Sequence, residues 1–258
     1  MTGEEIGRRL LSDLTDVIRW TDDHSARSQQ ATIGPSELGV ACDRRIAYRL
    51  AGAPEINTWM DPWPAIVGTA IHTWLEKAVS SFQAAHHMSR WQTEITVHPD
   101  PLVVGHCDLY DSELKIAVDF KTVSPSKLKQ WQTSGPSETH KDQVSLYARG
   151  LIAVGKPVDW VALVAFPRSG WLNDAQVWIE GYDPTRGQRV LDRMYGIADT
   201  LINQGEWHDF AAIPASPGGD CAYCPWYRGG CGQADLSGCP GNSDAGQARF
   251  ANGLTAPK

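Results

Sequence analysis

The chain has 258 residues, 42% of them hydrophobic and 21% charged, which is the balance of an ordinary globular protein long enough for one sizeable core. A formal net charge of −7 argues against a protein that coats nucleic acid by bulk electrostatics, but not against one that handles it in a single basic cleft. No apolar run reaches bilayer-spanning length and the opening MTGEEIGRRLLSDL mixes both charges, so the expectation is a cytoplasmic protein with no membrane partner.

Taken in chain order, Ile6, Leu10, Leu14 and Val17 recur at helical spacing between Glu4 and Trp20, and a polar loop (TDDHSARSQQ) follows. Pro35-Ser36-Glu37-Leu38 opens a short helical region that continues through Cys42 to Leu50. Val67, Ile71, Trp74, Leu75, Ala78 and Phe82 form one apolar stripe, which predicts a helix over 64–82. The period then changes: Trp91, Thr93, Ile95 and Val97 alternate with Gln92, Glu94, Thr96 and His98, a strand pattern.

A second strand is expected over 102–110. In a third, Leu114, Ile116, Val118 and Phe120 alternate with Lys115, Ala117, Asp119 and Lys121, the latter set forming the more polar face. A helix over 141–154, strands over 158–166 and 175–182, and a helix opened by Asp183-Pro184 complete the pattern. The last helix carries Val190, Met194, Ile197 and Leu201. This order gives an α/β (α+β) fold with a central mixed β-sheet flanked by helices. The tail over 242–258 is small and polar and is expected to be disordered.

Four features bear chemistry. Asp119 and Lys121 lie two apart on the third strand and share a sheet face, where a carboxylate can hold Mg²⁺ and an ammonium can orient water and offset phosphate charge. Chance supplies Asp-x-Lys at roughly one position in 300, so the pair takes its meaning from its company. Asp108 ends the preceding strand in Gly105-His106-Cys107-Asp108 and comes near Asp119 if the two strands form a hairpin, so that both carboxylates share one cation. His72, in Gly68-Thr69-Ala70-Ile71-His72, flanks the stripe of the early helix and offers an imidazole suited to Mn²⁺ more than to Mg²⁺. Gln143 and Tyr147 share one face of the helix after the sheet.

The order and spacing of these residues resemble the PD-(D/E)XK nuclease superfamily in its RecB-like branch, across most of the region from 64 to 150. The matching positions are Gly68 and His72, Gly105 and Asp108, Asp119 and Lys121, Gln143 and Tyr147, with Asp119 standing where Glu is commoner. The resemblance implies a restriction-endonuclease-like core in which His72, Asp108 and Asp119 bind Mg or Mn. It also implies that Lys121 activates water while Gln143 and Tyr147 assist. No Gly-x-x-x-x-Gly-Lys-Ser/Thr loop is present, so any helicase motor belongs to another chain.

Of six cysteines, Cys221, Cys224, Cys231 and Cys239 crowd the last fifth of the chain, and Cys221-x-x-Cys224 has the spacing with which two thiolates grip one metal centre. Zinc is the ordinary reading of such a pair. No second His or Cys pair completes a zinc ribbon, and the Cys42 segment (Cys42-Asp43-Arg44-Arg45) resembles the N-terminal cysteine segment of iron–sulfur RecB-like exonucleases, including the CRISPR-associated exonuclease family. That resemblance implies a structural 4Fe–4S cluster on Cys42, Cys221, Cys224 and a third C-terminal cysteine. Cys231 has the shorter spacing; Cys239, followed by proline as Cys224 is, is preferred. Cys107 is expected to be a buried thiol on the face opposite Asp108.

The domain expectation follows: an N-terminal helical segment with the first cluster cysteine over 1–62, a nuclease core over 63–205, and a C-terminal cysteine segment over 206–241. The function so implied is a metal-dependent DNA exonuclease acting at DNA ends or on single strands in recombination, repair or phage DNA processing, with a helicase or recombination protein as a candidate partner. The rival reading is a non-catalytic DNA-binding or helicase-partner subunit that keeps the fold.

Overall fold

The computed structural model describes residues 2–24, 32–57, 61–203, 209–216 and 221–242; most of the polar loop after Trp20 and the tail from 243 lie outside the described residues. In chain order the helices are α1 Gly3–Asp23, α2 Pro35–Leu38, α3 Asp43–Leu50, α4 Trp63–Ala85, α5 Pro125–Ser134, α6 Glu138–Ala153 and α7 Pro184–Asn203. The strands are β1 Trp91–Asp100, β2 Val103–Asp111, β3 Ile116–Val123, β4 Trp160–Pro167 and β5 Gln176–Gly181.

The strands form one mixed sheet in sequence order. All neighbours are antiparallel except β3 and β4, which run parallel and therefore need a crossover; α5 and α6 provide it. Helix α5 was not expected. It starts at the Ser124 cap, whose hydroxyl accepts the Lys127 N–H, with Pro125 at its first turn, and it buries Leu128 and Trp131.

The sheet is covered on both faces. Ile116, Val118 and Phe120 of β3 pack with Ala162 against Leu75 of α4. Ala117 and Val123 pack on the other side with Val144, Tyr147, Ala148 and Leu151 of α6. The expected polar face of β3 is thus an interior face, and Asp119 is only 2% exposed. Gly150 lets α6 press on β1, because a Cβ there would stand 2.7 Å from Val97 Cβ.

A separate core joins the segment 33–53 to α7 and the segment 210–239. Leu38, Ile46, Ala47 and Tyr48 pack with Val190, Leu191, Met194 and Leu201 of α7 and with Phe210, Ile213 and Trp226. The Tyr48 ring stacks on Phe210 at 3.9 Å and on Trp226 at 5.6 Å, and its hydroxyl donates to the carbonyls of Asp235 and Gly238. Among the described residues no helix is long and apolar enough to cross a membrane.

One irregularity shapes the site. The pairs Thr93↔Leu109 and Ile95↔Cys107 flank Glu94 and Asp108, and Glu94 carries a left-handed φ of 50° within its strand. Cys107 and Tyr110, three apart, both enter the core under α6, whereas Leu109 between them packs on the α4 side. Strict alternation therefore slips by one residue at Asp108. Cys107 is fully buried as expected, and burial pushes its thiol well up.

Candidate active site

The pairing of β2 with β3 runs from Asp111↔Ile116 to Leu109↔Val118 and stops. One step further, Asp108 replaces the ladder with its side chain, its Oδ2 accepting the Phe120 N–H at 2.6 Å. The two strands part here, and the gap lets side chains from both helical layers meet.

From the α4 side comes His72, whose Nδ1 lies 3.4 Å from Asp108 Oδ1 and whose ring stands edge-on to Phe120. The contact with Asp108 raises the His72 pKa against the opposing effect of burial. From the α6 side comes Gln143. Its Nε2 donates to Asp119 Oδ1 at 3.0 Å and to the Tyr147 hydroxyl at 2.8 Å, while its Oε1 accepts from Lys121 Nζ at 2.9 Å. Lys121 Nζ also lies 2.9 Å from Asp119 Oδ2, a buried ion pair beside the Gln143 contact. Burial is the largest influence on Asp119 and lifts its carboxyl to about 6, with Lys121 opposing and Asp108 adding. Burial likewise holds Tyr147 far above its usual range, so it remains a neutral donor and acceptor.

All six residues expected from the sequence, His72, Asp108, Asp119, Lys121, Gln143 and Tyr147, thus fall in one neighbourhood. The two glycines of the motif differ. A Cβ on Gly105 would stand 2.7 Å from Pro35 Cδ and 2.9 Å from the Tyr147 ring, so glycine is required there; a Cβ on Gly68 would meet nothing within 4 Å. Sequence reasoning missed Glu94. His72, Glu94 and Asp108 each present a ligand atom within 4.8 Å of the others, the one such group of three or more metal-type donors among the described residues. Desolvation, then the Asp108 and Glu76 carboxylates, raise the Glu94 pKa.

Cys42, Cys224 and Cys239 come together where the segment around Tyr48 meets the C-terminal segment. Burial pushes the Cys224 thiol up to about 11, and Cys42 and Cys239 are near enough to add to the shift while Arg45 opposes it. Cys42 caps α3, and Cys239 pairs in a short bridge with Tyr227. The Cys239 sulfur receives the Gly241 N–H at 3.3 Å and an Arg44 N–H at 3.7 Å. Cys231 instead donates to the Arg228 carbonyl at 3.0 Å. Among the local basic residues, Arg44 also donates to the Ile213 carbonyl and Arg49 pairs with Glu37, whereas Lys127 and Lys129 are exposed.

No protein-family model matches the chain, and no curated protein does. Solved structures do. A protein named SSO0001 is similar at 18% identity and a TM-score of 0.48, over 84% of this chain and 94% of that one. LHK-Exo, an alkaline exonuclease from Laribacter hongkongensis, is similar at 11% identity and a TM-score of 0.47, over 69% and 91%. A phage-related exonuclease from Haemophilus somnus 129PT follows at 14% identity and 0.41, over 63% and 81%.

Proposed function

We propose that the chain is a divalent-cation-dependent nuclease acting on DNA, with the RecB-like site arrangement. The observation that carries this reading is the convergence of Asp108, Asp119 and Lys121, held from one side by His72 and from the other by Gln143 and Tyr147. His72, Asp108 and Asp119 supply the donors for Mg²⁺ or Mn²⁺, a mixed imidazole and carboxylate set that fits a hard or borderline cation. The cation, when bound, polarises the scissile phosphate and makes a water nucleophilic at neutral pH.

The protein's own contribution is orientation and charge. Gln143 fixes Asp119 and Lys121 together, which holds the ammonium beside the carboxylate, where it can orient water and offset phosphate charge. Tyr147 anchors Gln143 in turn. We further propose the exonuclease mode, on DNA ends or single strands.

We further propose that Cys42, Cys221, Cys224 and Cys239 hold a 4Fe–4S cluster. The reading is supported by Cys42 and Cys239 lying near Cys224, and by the Cys239 sulfur, which is met by a backbone N–H and a guanidinium, both of which favour a thiolate ligand. The role proposed is structural, reinforcing a seam that the Tyr48 stack already closes. Absorbance near ~400 nm with bound iron and sulfide supports it, and colourless protein with stoichiometric zinc refutes it.

The nuclease reading is tested by incubating labelled linear DNA with the purified chain. Cleavage should need Mg²⁺ or Mn²⁺, stop with chelator and disappear in Asp119→Asn while the circular dichroism spectrum is kept. Undiminished cleavage by a folded Asp119→Asn protein would overturn it.

A further inference from the structure

We propose that Glu94 is a ligand of the nuclease cation, joining His72 and Asp108 in a His–Glu–Asp site that lies outside the Asp-x-Lys motif. The inference deepens the nuclease reading and rests on it. Three elements meet at this point: α4 brings His72, β1 brings Glu94 and β2 brings Asp108. Their donor atoms all lie within 4.8 Å of one another. A small divalent ion would need neighbouring donors about 3 Å apart, and His72 Nδ1 already lies 3.4 Å from Asp108 Oδ1, so side-chain shifts of about 1–2 Å would place all three on one ion.

The backbone is bent to make this possible. Glu94 stands directly across from Asp108, between the pairs Thr93↔Leu109 and Ile95↔Cys107. Its φ of 50° is a conformation that residues other than glycine rarely adopt, and strain of this kind persists where a site is held against it. The left-handed Glu94 of β1 and the slip at Asp108 of β2 fall at the same register, which brings the two carboxylates to one place.

Asp119, 2% exposed, follows on the strand that Asp108 caps, so three carboxylates and an imidazole gather at one gap, a concentration of negative charge that a divalent ion would offset. Glu94 also settles the division of labour. Asp119 is engaged by Gln143 and Lys121, so Glu94 gives the ion a further anionic donor without breaking that network. With an imidazole in the set, Mn²⁺ should bind more tightly than Mg²⁺.

The test is Mn²⁺ binding to the full chain, by titration calorimetry and by the electron paramagnetic resonance signal of free Mn²⁺. The parent is compared with Glu94→Gln, Glu94→Gly and Glu76→Gln. Glu94→Gln should weaken Mn²⁺ binding about tenfold or more, whereas Glu76→Gln, which removes a nearby charge outside the donor group, should change it less than about threefold. Glu94→Gly suits the left-handed backbone, so it should lose Mn²⁺ affinity to the same extent while melting no lower than the parent without metal. Parent-like Mn²⁺ affinity in both Glu94 variants overturns the proposal, as does equal weakening by Glu94→Gln and Glu76→Gln. DNA cleavage by the parent, measured on the same samples, separates the two readings. Cleavage with Mn²⁺ affinity indifferent to Glu94 leaves the nuclease standing and removes the ligand. Mn²⁺ binding that depends on Glu94, without cleavage, does the reverse.

Discussion

At the scale of single residues, burial governs the chemistry around Lys121. His140 lies on α6 one turn before Gln143, with its Nδ1 buried and unpartnered among the described residues. Burial, then Lys121 and Lys127, lower its pKa to about 4. A base whose folded pKa lies below its unfolded value of about 6.5 adds stability that is complete above pH 6.5 and lost as the pH falls toward 4. The loss is on the order of 3 kcal/mol, and replacing the imidazole removes it. Melting curves should therefore show His140→Gln less acid-sensitive than the parent between pH 6.5 and 4; parallel curves would contradict this. The sequence displayed Asp108, Asp119, Lys121, His72, Gln143 and Tyr147 because their spacing reports shared faces. Glu94 was hidden, because alternation placed it in the outward row of β1 and no residue type announces a left-handed φ at a glutamate.

At the scale of elements, the site depends on how closely α2 and α6 approach the end of β2. Gly105 sits between Pro35 and the Tyr147 ring with no room for a methyl group. Gly105→Ala should cost about 1–3 kcal/mol in urea unfolding and should lower cleavage by disturbing Tyr147 and hence Gln143. An unchanged unfolding midpoint would show that the contact yields freely. Helices α6 and α7 and the strands were legible as apolar periodicity, which burial of one face imposes; α1 shows the same period, yet none of its residues is buried. Two features were not. Strand β3 is covered on both faces, but its inner row holds Asp119 and Lys121 and so reads as a solvent face. Helix α5 buries only Leu128 and Trp131, too few apolar positions to set a period in ten residues.

At the scale of the whole molecule, the segments 33–53 and 210–239 close on each other over α7, and Tyr48 is the centre of that closure. Tyr48→Ala removes a ring held between Phe210 and Trp226 and two hydrogen bonds to the C-terminal segment. The expected cost is about 3–5 kcal/mol, and limited proteolysis should then cut near residues 209–216 before it cuts the sheet. Simultaneous loss of both regions would show that the molecule unfolds as one unit. Neither this stack nor its partners showed in the sequence, because nothing local links Tyr48 to residues far along the chain. The functional reading turns on the gap between β2 and β3. The most direct test is the rate at which the Lys121→Ala protein degrades end-labelled DNA in Mn²⁺, relative to the parent. The account predicts a fall of about 100-fold or more with the melting temperature retained; a folded Lys121→Ala protein that cleaves at the parent's rate would contradict it.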